Sequence, residues 1–167
     1  LRSLDAGEWF SAEFKGQVIP TLAHVLERYK GWLHFHIEIK GRTPGLAKRT
    51  ADLVRGFGVG SVSTITSFDL APLEEVRTHA PELYVGWLVL EVNDSVISQA
   101  QDLSLVQLCP PASLVTPELV NELHRKGFVV RAWRVSDTDL MRQVVDAGAD
   151  GMTVNFPDKL DDYLKSE

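Results

Sequence analysis

The feature that most constrains the fold is a regular alternation between short strand-like runs and helical stretches. The runs are short, apolar and partly β-branched, which is typical of strands. They are Leu33–Lys40, Ser61–Ser67, Tyr84–Leu90, Leu105–Cys109, Phe128–Val135 and Gly151–Val154. Helical patterns follow each of them, so consecutive strands need crossover connections. We therefore predict a parallel sheet covered by helices.

Two architectures fit this alternation, an open doubly wound sheet and a β/α barrel. No glycine-rich dinucleotide fingerprint follows any strand, which disfavours the first. A barrel has eight strands and about 250 residues, whereas this chain has 167 residues and six strand-like runs. We expect one incomplete TIM-type (β/α)8 barrel domain over residues 1–167, with about six of eight strands present and the deficit at the N-terminal side.

Composition excludes some partners. The net charge of −6 argues against a chain that coats nucleic acid. No apolar run approaches the ~18 residues of a membrane span. The single cysteine, Cys109, cannot form an internal disulfide, so no oxidising compartment is implied and we expect a cytoplasmic location.

The strand Leu33–Lys40 carries the clearest functional signal. Side chains alternate across a strand, so the apolar side chains share one face and His34, His36, Glu38 and Lys40 share the other. A buried parallel strand is normally apolar on both faces, which leaves either a solvated edge or the interior face of a barrel. In a barrel, the C-terminal end of that face lies where active sites form.

Glu38 and Lys40 suit phosphoryl chemistry. A carboxylate can hold a hard divalent cation, and an ammonium group can meet a phosphate oxygen. Both would stabilise charge on phosphorus oxygens in the transition state. A buried ion pair explains the same two residues.

Five short motifs follow one another along the chain: Leu4-Asp5-Ala6-Gly7-Glu8-Trp9-Phe10, Ile19-Pro20-Thr21-Leu22 with Ile37-Glu38-Ile39-Lys40, Ser67-Phe68-Asp69, Val130 to Asp137, and Gly148 to Asp158. In this order and spacing they resemble one family, the glycerophosphodiester phosphodiesterases. The resemblance implies a β/α barrel that hydrolyses glycerophosphodiesters to an alcohol and glycerol 3-phosphate with Ca²⁺ or Mg²⁺. Its substrates belong to lipid and glycerol metabolism.

The resemblance also implies roles for individual residues. Glu38 matches a metal-ligand glutamate, Lys40 a lysine that binds the substrate phosphate, and Trp133 an aromatic residue at the mouth of the site. Ser67 and Phe68 match a strand-end motif beside it, with a structural or lining role, and His36, which stands where the family usually has asparagine, is a further candidate lining residue. The alternative for Trp133 is a core aromatic side chain.

Other family features are absent from these 167 residues. They are a His-Arg pair on the first strand, a Glu-x-Asp pair of metal ligands on the second, and a following His-Asp. His24, His79 and His124 lie in helical stretches, so we expect surface or helix-packing roles for them. This chain therefore carries only part of the active site, contains neither acid–base histidine, and is expected to be inactive alone.

Two further expectations concern local structure. Trp9 and Phe10 are predicted to anchor the N-terminal loop by packing, and Ser136-Asp137-Thr138-Asp139 resembles a capping box. Two other functions stay open: a non-catalytic barrel remnant that acts in binding or assembly, and a different β/α-barrel enzyme that acts on a phosphorylated small molecule.

Overall fold

The computed structural model describes residues 4–41 and 43–166. Its sheet has six strands, all parallel and all in chain order. The strands are β1 (Phe35–Glu38), β2 (Ser63–Ser67), β3 (Tyr84–Leu88), β4 (Gln107–Cys109), β5 (Val129–Ala132) and β6 (Gly151–Met152). The prediction of six parallel strands in a partial barrel is confirmed, although each strand is shorter than its sequence run.

Helices connect these strands on one side of the sheet, as the crossover argument requires. The α-helices are α1 (Leu22–Tyr29), α2 (Leu46–Gly56), α3 (Leu70–His79), α4 (Asp94–Asp102), α5 (Pro117–Arg125), α6 (Thr138–Asp146) and α7 (Pro157–Ser166). Three short 3-10 helices are also present, at Ala12–Phe14, Gly60–Val62 and Ala112–Leu114. No helix in the described ranges has the length and apolar content needed to cross a bilayer.

Local signals fix where the helices begin. Thr116 accepts a hydrogen bond from the Leu119 amide through its Oγ1, and Pro117 fills the first helical position of α5. The capping-box motif places the N-cap of α6 at Ser136, and this prediction is wrong. Asp137 is the N-cap of α6, because its Oδ1 accepts from the amides of Asp139 and Leu140. Ser136 instead donates to Asp137 Oδ2.

The core lies between the sheet and its helices. One face of the strands contributes Ile65, Val85, Leu108 and Val130, all at most 1% exposed. The helices contribute apolar side chains such as Leu73 to the same cluster. The opposite, concave face carries polar side chains on β2, β4 and β5, namely Thr64, Thr66, Gln107 and Arg131, whereas β3 presents Gly86 and Leu88 there.

The prediction that Trp9 and Phe10 anchor the N-terminal loop by packing is wrong. These residues are 81% and 70% exposed, their rings contact each other, and the Phe10 ring also contacts Phe14. The loop is held instead by the Asp5 carboxylate, which accepts hydrogen bonds from the backbone amides of Gly7, Glu8 and Gly16. Hydrogen bonds from backbone amides to this carboxylate thus hold a loop whose aromatic rings are exposed.

The two outer strands, β1 and β6, each have one edge unpaired within the described chain. Open edges expose N–H and C=O groups and invite pairing with other chains. We expect the purified 167-residue chain to associate or aggregate rather than remain a monomer. Size-exclusion chromatography combined with thermal melting checks this, and a cooperative melt from a monomeric peak would contradict it.

Cys109, at the end of β4, provides a chemical test of how this strand is packed. Burial raises the pKa of its thiol to about 11, and the residue is 1% exposed. Because the thiolate is the reactive form, alkylation in mildly alkaline native buffer should be at least about a hundredfold slower than for a free thiol of ordinary pKa. Mass spectrometry measures the rate, with urea-unfolded chain as control. Equal rates in both states would show that β4 is not packed.

Candidate functional site

The residues predicted for the site lie together at the C-terminal ends of the strands. Glu38 is the last residue of β1 and Lys40 follows two positions later. Ser67 ends β2, Phe68 comes next, and Trp133 directly follows β5. We call this end of the sheet the mouth. Parallel pairing brings these residues to one rim although they are far apart in the sequence.

Glu38 and Lys40 form an exposed ion pair. Lys40 Nζ lies 3.3 Å from Glu38 Oε2, and the side chains are 78% and 30% exposed. The alternative of a buried ion pair is therefore wrong. An exposed pair of this kind contributes only about 0–1 kcal/mol to stability. Each group can therefore leave this partner and contact a ligand instead, with little loss of stability of the fold.

Ser67 fixes the strand that presents this pair. Its hydroxyl donates to the carbonyl of Ile39 at 2.9 Å and accepts from the Asp69 amide at 3.2 Å. The side chain is buried. Ser67 therefore holds the main chain between Glu38 and Lys40 against the end of β2.

Trp133 and Phe68 form an aromatic wall at the mouth. Their rings meet edge to face, with centroids 4.9 Å apart and planes at 89°. The indole N–H of Trp133 donates to the carbonyl of Val89 at 3.1 Å. Phe68 is 42% exposed and Trp133 is half-buried. Trp133 is thus held by the core at one end and accessible at the other, which suits a lining residue.

His36 lies deeper on the concave face, in a groove of about 340 Å³ that His34 and Arg131 also line. Partial burial of the ring, with smaller electrostatic effects from Arg131 and His34, lowers the pKa of His36 to about 4. Its imidazole is therefore neutral near pH 7. His34 is exposed, and its ring hydrogen-bonds to Thr64 Oγ1 at 3.1 Å.

Sequence reasoning missed Arg131. Its guanidinium donates to Thr153 Oγ1 at 2.8 Å and to the Met152 carbonyl at 3.0 Å, and burial lowers its pKa. The available signal was a charged residue inside the apolar strand β5. By the same alternation that identified His36, this position faces the interior of the barrel.

The other histidines have the predicted positions. His24 lies in α1, His79 in α3 and His124 in α5. His79 pairs with Asp52 at 2.6 Å, and His124 pairs with Asp150 at 2.8 Å. These pairs join neighbouring elements on the outer surface, so none of the three belongs to the mouth.

A divalent cation would find an incomplete ligand set here. In residues 4–41 and 43–166, no group of three or more His, Cys, Asp or Glu side chains is close enough to hold a metal ion. Calcium takes 6–8 oxygen ligands, and magnesium is typically held by one or two carboxylates plus water and substrate oxygens. Glu38 supplies one carboxylate, so the described residues do not form a complete cation site.

The chain is similar to known proteins along most of its length. The chain is 29% identical over 165 residues to the glycerophosphodiester phosphodiesterase of Caldanaerobacter subterraneus, covering 96% of the chain and 68% of that protein. It is 25% identical over 179 residues to the glycerophosphodiester phosphodiesterase of Bacillus subtilis, covering 95% of the chain and 61% of that protein. The chain therefore spans about two thirds of the length of these relatives.

A solved structure shows the same fold. The phosphodiesterase of Oleispira antarctica, in complex with the product sn-glycerol-3-phosphate, superimposes with a TM-score of 0.86 at 22% identity. The match covers 99% of this chain and 69% of that one. The sequence profile of the glycerophosphoryl diester phosphodiesterase family matches residues 1–159. This chain belongs to the glycerophosphoryl diester phosphodiesterase family.

Proposed function

We propose that the protein hydrolyses glycerophosphodiesters to an alcohol and glycerol 3-phosphate with the help of a divalent cation, Ca²⁺ or Mg²⁺. The observation that carries this proposal is the exposed pair of Glu38 and Lys40 at the mouth, on the rim that also holds the aromatic wall. A negatively charged phosphodiester needs a cationic contact. Lys40 can provide one, because its exposed ion pair contributes little to the stability of the fold.

Lys40 is the residue we assign to the substrate phosphate. Its ammonium group is 78% exposed and its partner within the described chain is Glu38. A phosphate oxygen can replace that carboxylate and gain a charge-assisted hydrogen bond. In the transition state more negative charge collects on the phosphoryl oxygens, so the same contact becomes stronger and favours the reaction.

Glu38 is the residue we assign to the cation, as one ligand of a larger set. The described chain does not complete that set, so the remaining ligands would come from sequence outside it. When bound, the cation would supply positive charge next to the phosphoryl oxygens. Glu38 also orients Lys40 in the absence of ligand, since the two lie 3.3 Å apart.

Trp133 and Phe68 are the residues we assign to packing against the uncharged part of the substrate. Their rings form a wall with one face accessible at the mouth. His36, neutral near pH 7 because its pKa is lowered to about 4, lines the interior below the pair. Residues 1–167 would then form part of one barrel domain, whose acid–base histidines are supplied from elsewhere.

The isolated 167-residue chain should have negligible activity. Loss of a general acid or base alone typically costs about 10²–10⁴-fold, and an incomplete cation site adds to that loss. Release of glycerol 3-phosphate from glycerophosphocholine, with Ca²⁺ or Mg²⁺ present, measures it. Robust metal-dependent turnover by this chain would show that its own residues complete the active site.

In the protein produced with whatever sequence its gene places before Leu1, Glu38→Gln and Lys40→Met should each lower kcat/KM by roughly 10²–10³-fold. Glu38→Gln should also raise the cation concentration needed for half-maximal rate, because it removes a ligand charge. Lys40→Met should leave that concentration nearly unchanged, since the lysine contacts phosphate.

Glu27 and Lys30 provide the matched control. They form an exposed ion pair at 2.9 Å at the end of α1, so Glu27→Gln and Lys30→Met remove the same groups from a surface pair outside the mouth. These variants should keep normal kcat/KM. Near-normal kcat/KM in either Glu38→Gln or Lys40→Met would show that the residue is only an ion-pair partner and has no role in catalysis.

A further inference from the structure

A second groove lies beside the aromatic wall. It has a volume of about 330 Å³, and its lining includes Leu90, Pro111, Leu114, Trp133 and Arg134. These residues follow β3, β4 and β5, so the groove opens at the mouth. Trp133 belongs both to this groove and to the wall with Phe68. The groove is therefore continuous with the site assigned to the substrate.

Arg134 is the ionisable side chain of this groove. Among the lining residues, all of which are described, the others are apolar or hydroxyl-bearing. Arg134 is exposed, and within residues 4–41 and 43–166 its guanidinium has no hydrogen bond or ion pair. A planar group with five N–H donors is thus left open toward a largely apolar groove.

The backbone at Arg134 is unusual as well. Its φ is +60°, in the left-handed region, and Ser104 is the one other non-glycine residue with positive φ in the described chain. Arginine has no intrinsic preference for this conformation. Backbone strain of this kind persists only where the surroundings enforce it, and it occurs often at ligand sites.

The nearest acidic residues along the chain are already engaged. Asp137 accepts hydrogen bonds from the amides of Asp139 and Leu140 and from the Ser136 hydroxyl. Asp139 pairs with Arg142 at 3.2 Å. Neither carboxylate neutralises Arg134. The walls of the groove come from loops and helices that connect described strands, so its shape does not depend on the open sheet edges.

We propose that Arg134 is a specificity-determining residue that binds a second anionic group of the substrate, remote from the phosphodiester that is cleaved. The groove accommodates the part of the substrate that reaches past Trp133, and Arg134 binds a phosphate or carboxylate carried by that part. This inference rests on the proposed function, and it adds a class of substrate: glycerophosphodiesters with an extra negative charge.

Two compounds that differ only in that charge test the inference. They are sn-glycero-3-phosphoglycerol and the same compound with a terminal phosphate monoester. The protein carrying its natural upstream sequence is assayed for kcat/KM on both, and their binding is measured by calorimetry without metal. The unchanged protein should prefer the phosphorylated compound by about ten- to a hundredfold, which corresponds to a hydrogen bond between charged groups.

Arg134→Gln should remove that preference in both measurements, and Arg134→Lys, which keeps the charge, should restore part of it. The matched control is Arg125→Gln at the end of α5, whose guanidinium bonds to the Asn121 carbonyl within its own helix. It should keep the full preference.

Equal ratios for the unchanged protein and Arg134→Gln would overturn the inference, and so would an unchanged protein that binds neither compound or both equally. Failure of the unchanged protein to hydrolyse either compound would contradict the proposed function instead. In that case the calorimetric ratio still decides whether Arg134 binds the second anion.

Discussion

Each strand of the sheet is hydrogen-bonded in parallel to the strand that follows it in the chain. All C-terminal strand ends therefore point the same way, and residues separated by about a hundred positions, such as Lys40 and Trp133, meet at one rim. The helices between them can vary in length without moving that rim. Without this pairing Glu38 and Lys40 would be an ordinary exposed ion pair.

Hydrogen bonds from side chains to main-chain carbonyls hold the rim in shape. Ser67 donates to Ile39, Trp87 to Phe68, and Trp133 to Val89. Each bond joins the loop or end of one strand to that of another. Such links keep the loops from relaxing independently. Groups that are preorganised in this way need little rearrangement when charge develops beside them in the transition state.

The sequence predicted the parallel sheet and the polar face of β1 from alternation and chain order alone. The expectation that Trp133 lies at the same mouth as Glu38 and Lys40 came instead from the family resemblance. Prediction from the sequence failed where a result depends on which neighbour a side chain meets. Trp9 is apolar yet packs on no core. Asp137 rather than Ser136 caps α6, since both are capable caps. The left-handed backbone of Arg134 has no local sequence signal.

The order of the strands also has a consequence for synthesis. A sheet in which every pairing joins consecutive strands can grow in the order in which the ribosome releases them, with β2 adding to β1 and each later strand adding to the last. These pairings have the smallest sequence separations in the sheet, so they need less loop closure than any pairing between non-consecutive strands. The join that closes a barrel is different, since it brings together the segments that leave the ribosome first and last. Closure would then be the slow step, and the mouth would be assembled before the ring is complete.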